Sequence, residues 1–277
     1  MPTQQTGFFN MKRILNRLRS SYHPLWRLRQ FLWFRTVQKY FDFPILFQKK
    51  GIKFWVMFLR DFSVHADFGG MEPISRKVFL LTLDLLHPDH FFDVGANVGS
   101  FGWIAHTRYP GIGVHFFEPD PVNIWLLKKS IRLHRGSTMR LWSGVVSNIC
   151  GEVDFLFDEA SGATGSIKDR RENRSSLHSA YGMSRKNMVP STTLDSYSMS
   201  GCFRGRVILK IDVEGAEGEV LSGGIDFIRK TRPVILVECF NLRNLLPLRD
   251  ADYRAGRIPG DNNYLLFPSE LAEAMEP

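Results

Sequence analysis

From residue 89 onward, short apolar runs alternate with segments whose apolar residues recur at helical spacing. The runs that predict strands are His90–Val94, Ile112–Phe117, Met139–Val146, Val207–Ile211 and Pro233–Glu238. Helices are predicted over Ser100–Arg108, after an Asp120 cap with Pro121 at the first helical position, and from about Gly215 to Ser222. Because strands and helices alternate, we predict an α/β fold with a mostly parallel sheet covered by helices on both faces.

Other segments depart from that alternation. Glu152–Phe157 predicts an additional strand, and Tyr264–Phe267 predicts a last edge strand after an irregular, basic stretch over residues 241–260. Residues 160–187 are small, polar and charged, and they predict a long loop. Loops of that length in compact domains are usually lids, binding loops or disordered segments.

The N-terminal third has a different pattern of apolar and charged residues. Residues 1–9 are predicted to be disordered, and residues 11–41 to form a helix in two pieces divided near Pro24. In the second piece Leu25, Leu28 and Leu32 fall at helical spacing, which indicates an amphipathic helix. We therefore predict two parts, a basic, aromatic-rich helical extension over residues 1–80 and a main domain over residues 81–277.

Positive charge is concentrated in that extension. Residues 1–60 hold 12 Lys and Arg against one acid, Asp42, whereas the remaining 217 residues hold 24 basic and 27 acidic side chains. One interpretation is a surface helix that touches anionic lipid head groups. The other is a helical appendage packed on the main domain with its arginines in water.

Cysteine usage and hydropathy bear on location. Cys150, Cys202 and Cys239 are far apart, and no Cys/His cluster suggests zinc. The apolar stretches Phe31–Phe34 and Phe54–Leu59 are far shorter than the roughly 20 residues that cross a bilayer. We predict a cytoplasmic protein, with peripheral contact at the inner face of the membrane as an option.

The exit of the first predicted strand reads FFDVGANVGSF, from Phe91 to Phe101. Gly95 and Gly99 could serve a tight turn alone, since glycine tolerates backbone angles that other residues avoid. Alternatively they open a strand-to-helix turn where a ligand approaches the backbone and the helix N-terminus. Ligands of parallel sheets bind at the carboxyl ends of strands, which favours the second interpretation.

The chemistry around this turn discriminates between cofactors. Dinucleotide sites carry G-x-G-x-x-G, whereas this turn has G-x-x-x-G with Asp93 before it, and a carboxylate repels phosphate. Glu118, at the end of the second strand, can accept hydrogen bonds from both hydroxyls of a ribose. S-adenosylmethionine fits these residues, because it has an ammonium, a sulfonium and a ribose but no phosphate.

A set of motifs over about residues 91–240 resembles the FkbM-type methyltransferases. They are DVGANVG, FFEPDP, VVSN, TTLDSY, LKIDVEGAE with VLSGG, and PVILVE, in that order. The resemblance implies S-adenosylmethionine as cofactor and the Rossmann-like class I methyltransferase fold. It also implies cofactor-binding residues at three strand ends. These are Asp93, Gly95, Ala96, Asn97 and Gly99 at the methionine end, Glu118 and Pro119 at the ribose, and Ser147 or Asn148 near the adenine.

The stretch LKIDVEGAE, Leu209–Glu217, provides the catalytic candidates. Methyl transfer to a hydroxyl benefits from a base, and Asp212 is our first candidate because it ends a strand pointing at the reactive side of the cofactor. Lys210 lies on the same strand face, and Glu214 is the second candidate. The alternative is that Asp212 caps the following helix and Lys210 neutralises it.

A metal ion is a further option for the same carboxylates. Asp212, Glu214 and Glu238 could gather a magnesium-like cation, but no motif supports one, and we assign no metal ligands. His106, His115 and His134 are predicted to be structural, and we leave Asp195 out of the site.

The leading hypothesis is therefore an S-adenosylmethionine-dependent methyltransferase. The resemblance implies O-methylation of a hydroxyl on a sugar, glycolipid, polysaccharide or related natural product. The alternatives are a nicotinamide-dependent sugar-modifying enzyme and a non-catalytic module that binds membrane or a partner. Nucleic acid is an unfavoured substrate, because the main domain is mildly acidic and an N-P-P-Y-like motif is absent.

Overall fold

The computed structural model describes residues 32–66, 68, 72–158, 162–163, 165–167, 184–201, 203–260 and 262–271. The predictions of a disordered start, of the helix before residue 32 and of most of the long loop over residues 160–187 lie outside these residues.

Within the described ranges the helices fall between and after the strands of the main sheet. They are α1 (Leu32–Phe41), α2 (Phe62–Ala66), α3 (Pro73–Leu86), α4 (Ser100–Arg108), α5 (Pro121–Ile131), α6 (Leu194–Met199), α7 (Glu217–Ser222) and α8 (Ile225–Thr231), with 3-10 turns at Leu242–Leu248 and Ser269–Leu271.

The strands belong to one large and two small sheets. They are β1 (Pro44–Lys49), β2 (Ile52–Met57), β3 (His90–Val94), β4 (Gly113–Glu118), β5 (Met139–Ser143), β6 (Val145–Val146), β7 (Gly151–Asp158), β8 (Ser166–Ile167), β9 (Ser184–Thr192), β10 (Val207–Ile211), β11 (Val234–Glu238), β12 (Tyr253–Arg257) and β13 (Asn263–Pro268).

The large sheet has the strand order β12-β13-β11-β10-β3-β4-β5. Strands β11, β10, β3, β4 and β5 are parallel, and β13 runs antiparallel to β11 and to β12. This arrangement confirms the predicted α/β fold with a mostly parallel sheet. The strand predicted over Tyr264–Phe267 is present as part of β13, but its predicted position at the edge of the sheet is wrong. The outer strand is instead Tyr253–Arg257. Those residues are mostly exposed and carry little apolar signal, which is why the sequence pattern missed them.

Each face of this sheet covers a separate hydrophobic core. Phe91 and Ile208 point to the core that contains helices α3 and α4, whereas their neighbours Phe92 and Leu209 point to the core that contains α7 and α8. Side chains of a strand alternate between faces, so Asp93 and Lys210 share the first face. The buried strands thus determine which charged residues can meet at the carboxyl edge.

The predicted helical extension is only partly helical. Helix α1 is present, but Pro44–Lys49 and Ile52–Met57 form an antiparallel hairpin. Lys50 and Gly51, at its tip, have φ angles of 50° and 84°, and two successive positive φ values are typical of a tight hairpin turn. The prediction of a helical extension over residues 1–80 is therefore wrong for this hairpin, where alternation around Lys-Gly is typical of two strands.

The hairpin packs into the main domain. Phe54 is fully buried and lies in the same core as Trp103 and Phe116, which belong to α4 and β4. The backbone N–H of Trp55 also donates to the hydroxyl of Ser130 in α5 at 2.8 Å. A division of the chain into two parts at residue 81 stays a prediction, but residues on both sides of it share one core.

The third predicted strand is divided at Gly144. Residues before it form β5 of the large sheet, and residues after it form β6, which belongs to a small sheet of order β6-β9-β7-β8. A Cβ on Gly144 would overlap the carbonyl oxygen of Pro190, so the crossing between the sheets needs glycine. The predicted long loop is correspondingly shorter, because residues 166–167 and 184–187 are strands. No helix of the described residues is both long and apolar enough to traverse a lipid bilayer.

Candidate active site

The site lies where the chain changes direction across the large sheet. From β3 the chain adds β4 and β5 on one side, and it later adds β10 and β11 on the other. Such a switch point opens a crevice at the carboxyl ends of the strands. Asp93 of β3 and Lys210 of β10 are paired in register at this position, so the predicted cofactor and catalytic segments are neighbours.

The glycines of the first turn are required by packing within the chain. Gly95 has a φ of +78°, and a Cβ on it would overlap the backbone carbonyl of Asp212. Gly99 has a φ of +82°, and a Cβ there would come within 3 Å of Leu127, Trp103 and Phe116. Protein atoms therefore fill the Cβ side of both glycines. A contact between cofactor and their backbone stays a prediction.

Glu118 is directed at the same turn. Its Oε2 accepts from the backbone N–H of Asn97 at 2.7 Å, and its Oε1 accepts from the N–H of Asp120 at 2.9 Å. The side-chain amide of Asn123 donates to Oε1 at 3.3 Å. Burial raises the pKa of Glu118 to about 8, and neighbouring Asp120 contributes, while the N–H donors favour the ionised form. The structure thus joins Glu118 to the turn, and its predicted contact with a ribose stays a prediction.

Asp93 lies beneath the turn and is 1% exposed. Burial raises its pKa to about 6, opposed by Lys210, whose Nζ lies 3.8 Å from Oδ1. The backbone N–H of Gly102, in the first turn of α4, also favours the ionised form. Yet neither oxygen of Asp93 has a partner within hydrogen-bond geometry among the described residues.

Other buried acceptors near Glu118 share this property. In the described part of the chain, the side-chain oxygens of Asn97 and Asn123 also have no hydrogen-bond donor. With the two oxygens of Asp93, they make four buried acceptor atoms, on β3, on the turn after it and on α5. A donor-rich, cationic ligand would satisfy such atoms, whereas a phosphate would not. S-adenosylmethionine fits this set through its ammonium and its ribose hydroxyls.

The catalytic candidates form a second group on the neighbouring strands. Lys210 Nζ donates to Asp212 Oδ2 at 2.9 Å. Burial alone would lower the pKa of Lys210, but Asp212 and Asp93 raise it, so Lys210 stays charged. Burial, Asp212 and a hydrogen bond between the two carboxyls raise the pKa of Glu238, which ends β11. At neutral pH Asp212 therefore lies between an ammonium and a neutral carboxyl.

This geometry bears on the structural alternative for Asp212. The ion pair with Lys210, which that alternative requires, is present. The predicted helix from about Gly215 begins instead at Glu217, and its N-cap residue, Ala216, makes no side-chain capping bond. Asp212 thus lies four residues before the cap position. Of the two interactions in that alternative, the structure contains the ion pair with Lys210.

Glu214 and Glu217 have different surroundings. Glu214 is half-buried and has a φ of 58°, a backbone conformation that is uncommon for residues other than glycine. Glu217 is buried, and it accepts from the N–H of Gly215 and from Asn244, both at 2.7 Å. Glu217 therefore ties α7 to the following 3-10 turn.

The remaining predicted cofactor contacts differ in burial and in hydrogen bonding. Ser147 is buried, and its hydroxyl is 2.8 Å from that of Ser191 in β9. Asn148 is exposed, and Pro119 is half-buried beside Glu118. Ala96 is buried, and its N–H donates to the carbonyl of Phe117 at 3.0 Å. Contacts of these four residues with a cofactor stay predictions.

Sequence patterns did not indicate the role of some residues in this region. Glu238 was proposed only as a metal ligand, although it ends an apolar strand as Glu118 does. Asn123 follows a recognised helix cap and gave no separate signal. Arg60 pairs with Asp120 at 2.8 Å, and no local pattern relates two residues so far apart in the chain.

Metal and histidine chemistry receive no support from the described residues. No cluster of three or more His, Cys, Asp or Glu side chains suited to a metal occurs among them. His115 lies 3.1 Å from the hydroxyl of Tyr197, and burial lowers its pKa to about 3. Asp195 accepts from the N–H of Phe227 at 2.7 Å and so supports the start of α8.

The comparison with known families decides the assignment. The Methyltransferase FkbM domain matches residues 93–254, a range that begins at Asp93 and contains Glu118, Asp212 and Glu238. This chain belongs to the FkbM methyltransferase family. The resemblance inferred from the motifs is thereby confirmed.

Curated relatives share parts of the chain. The 31-O-demethyl-FK506 methyltransferase FkbM of Streptomyces tacrolimicus is 38% identical over 77 residues, which are 26% of this chain and 30% of that relative. The 2-O-methyltransferase NoeI of Sinorhizobium fredii is 28% identical over 167 residues, 57% of this chain and 67% of that relative. The chain thus matches less than a third of the first relative's length. A crystal structure of methyltransferase FkbM from Methylobacillus flagellatus KT aligns with a TM-score of 0.43 at 16% identity, over 65% of this chain and 43% of that chain.

Proposed function

We propose that this FkbM-family protein is an S-adenosylmethionine-dependent O-methyltransferase that acts on a hydroxyl of a sugar, glycolipid, polysaccharide or related natural product. The observation that carries the proposal is the acceptor-rich corner, where Glu118 accepts from the Asn97 N–H and the Asp93 oxygens have no hydrogen-bond donor among the described residues. The names of two relatives specify oxygen methylation, which supports a hydroxyl acceptor here.

The cofactor's place follows from the polarity of the corner. Asp93 and the Asn97 carbonyl oxygen would receive the ammonium, and Glu118 would accept from the ribose hydroxyls. The bound cofactor supplies an electrophilic methyl group on its sulfonium. The carboxylates orient that group and exclude a phosphate-bearing competitor, since like charges repel.

Acceptor activation falls to the group on β10 and β11. Asp212 is the candidate that receives the hydroxyl proton, and Glu214 is the second candidate. Lys210 holds the Asp212 carboxylate through its 2.9 Å bond and limits its rotation. Glu238, neutral because of burial, holds it from the other side through the shared hydrogen bond. Holding the nucleophile at attack distance is itself a large share of such catalysis.

Acceptor selectivity is proposed to come from outside the family match and from the polar loop. Arg170, Arg171 and Arg174 and the basic N-terminal segment would attract an anionic acceptor, such as a phosphorylated lipid-linked glycan. This step rests on sequence charge alone. Acceptor affinity that does not change when all three arginines are replaced would count against it.

Peripheral membrane contact is a second element of the proposal. On α1, Trp33, Tyr40 and Phe41 are 57%, 69% and 70% exposed, and their spacing puts them on one helix face. Aromatic side chains beside lysines suit the head-group region of a membrane. Sedimentation with anionic vesicles should fall when the three are replaced by Ser, and a cytoplasmic location at the inner membrane face belongs to the same proposal.

Calorimetry tests the cofactor assignment. S-adenosylhomocysteine should bind and NAD should not, and the reverse would favour the nicotinamide alternative. Labelled S-adenosylmethionine incubated with an extract of the host's glycans and lipids should then transfer label to an acceptor. Vesicle binding without any methyl transfer, unchanged by Asp93→Ala, would favour a non-catalytic module.

A further inference from the structure

A turn of the N-terminal segment is fixed next to the site. The backbone N–H groups of Leu59 and Arg60 donate to the two oxygens of Asp42 at 2.7 and 2.9 Å. The N–H of Met57 donates to Asp61 at 2.7 Å. The two carboxylates hold the backbone of this turn, so the Arg60 side chain starts from a defined position. All these residues precede the family match.

The Arg60 guanidinium reaches the helix that follows Glu118. It is buried, and its Nη2 lies 2.8 Å from Asp120 Oδ1. Asp120 caps α5 through bonds to the N–H groups of Val122 and Asn123, and its own N–H donates to Glu118 at 2.9 Å. Arg60 thus contacts Asp120, and Asp120 contacts Glu118, so one residue links the guanidinium to the Glu118 carboxyl.

A third segment meets the same group. Asn123 donates from one side-chain amide both to Glu118 and to the carbonyl of Gly162, at 3.3 and 3.1 Å. Gly162 has a φ of +62°, and a Cβ on it would overlap the Arg60 guanidinium. Residues 60, 118–123 and 162 thus enclose the Glu118 carboxyl, which is 4% exposed.

We propose that Arg60 is a positioning residue for the cofactor, which holds Asp120 in place and, through Asp120, keeps the Glu118 carboxyl turned toward the Asn97 N–H and favours its ionisation. The N-terminal segment would then complete the nucleoside end of the site. This inference rests on the proposed function, because it concerns the group that binds the ribose.

The charges around Glu118 give Arg60 this role. Asp120 lies beside Glu118, and Asp61 lies beside Arg60, so the guanidinium faces three carboxylates. Burial alone would lower the pKa of Arg60, but Asp120, Asp61 and Glu118 together raise it. The attraction is mutual, so Arg60 favours the ionised form of Glu118. Without it, only the N–H donors of Asn97, Asp120 and Asn123 would oppose burial and the Asp120 carboxylate, and the pKa of Glu118 would rise further.

The experiment measures S-adenosylhomocysteine binding by calorimetry from pH 6.5 to 9.5. Arg60→Met keeps much of the side-chain length and removes the charge. We expect affinity at pH 7 to fall at least about tenfold, and the pH at which binding is half-maximal to rise by about one unit. Arg108→Met is the matched control, because it removes an arginine from the exposed ion pair with Asp84. It should leave both quantities unchanged.

A double-mutant cycle separates positioning from general support of the fold. Glu118→Gln has no carboxyl to ionise, so Arg60→Met added to it should change affinity less than about threefold and leave a flat pH profile. A folded Arg60→Met protein with the wild-type affinity and pH profile would overturn the inference. An equal loss at every pH would also overturn it.

Arg60→Lys covers the case in which Arg60→Met does not fold. Lysine keeps the charge but not the planar pair of donors, so affinity should weaken while the pH midpoint stays in place. A shifted midpoint in Arg60→Lys would contradict the inference. Failure of the wild-type protein to bind S-adenosylhomocysteine at any pH would instead remove the proposed function, which makes the two failures distinguishable.

Discussion

The backbone carbonyl of Asp212 occupies the place where a side chain on Gly95 would begin. The turn after β3, where we propose that the cofactor binds, and the segment after β10, which holds the proposed catalytic base, are therefore in close backbone contact.

Gly95→Ala tests that contact. Because the new Cβ would overlap the Asp212 carbonyl and the φ of +78° is strained for alanine, we expect the free energy of unfolding to fall by about 3 kcal/mol or more. Gly136→Ala is the control, since Gly136 has a φ of +85° with open space around its Cβ position, and it should cost about 1 kcal/mol. Urea denaturation measures both. Equal losses would contradict the close contact.

The cofactor-free protein should lose stability between pH 7 and 9. Burial raises the pKa of Glu118 to about 8 and raises that of Glu238. Between pH 7 and 9 both carboxyls of the unfolded chain are already ionised. The folded protein still binds the two protons at pH 7 and releases them as the pH rises through the folded pKa values. Stability therefore falls with pH, by about 1 kcal/mol per group.

Thermal unfolding at fixed ionic strength checks this pH dependence. The buried histidines do not interfere, because their lowered pKa values leave them neutral above pH 7. Glu238→Gln should flatten the decline, since it removes one of the two protons. A melting temperature that rises from pH 7 to 9 would show that the carboxyls are ionised throughout.

Asp212→Asn separates catalysis from binding. The substitution keeps the backbone contact with Gly95 and removes the proposed proton acceptor, so kcat should fall by roughly 10² to 10⁴. Affinity for S-adenosylhomocysteine should change less than about threefold. Glu152→Gln, an exposed carboxyl on β7, should leave both values unchanged. Full activity of Asp212→Asn would contradict the role of Asp212 as the proton acceptor and would favour Glu214.

Phe54→Ala tests whether the hairpin belongs to the main fold. Phe54 is fully buried against Trp103, so its truncation should cost about 3–5 kcal/mol in one cooperative transition. Leu46→Ala, on an exposed position of the same hairpin, should cost less than about 1 kcal/mol. A fragment that starts at residue 81 should fail to fold. Stable folding of that fragment would instead support the predicted division of the chain.

The central sheet was predictable because its strands are buried on both faces. Such strands, like Val207–Ile211, read as continuous apolar runs, and the predicted bounds match the observed ones. The first hairpin gave a weaker signal, because its two strands are short and only partly buried. The split at Gly144 depends on the distant Pro190 carbonyl, which no local pattern contains.

The residues of the candidate site also divide into those with a local sequence signal and those that depend on distant contacts. Asp93, Glu118 and Asp212 could be predicted, because each is a charged residue at the end of an apolar strand. The pairing of Glu238 with Asp212 required the order of strands β10 and β11, and the role of Arg60 required the tertiary position of the N-terminal turn. Long-range contacts of this kind leave no periodic signal in the sequence.

The shared core of the hairpin also constrains how the protein is made. Phe54 leaves the ribosome before Trp103 and Phe116, against which it is buried. During synthesis the Phe54 side chain stays exposed until the segments that cover it have been made. The segment around it is already rich in exposed aromatic and basic side chains. Growing chains of this protein should therefore depend on chaperones early, and fusion partners placed before residue 1 should affect yield more than those placed at the other terminus.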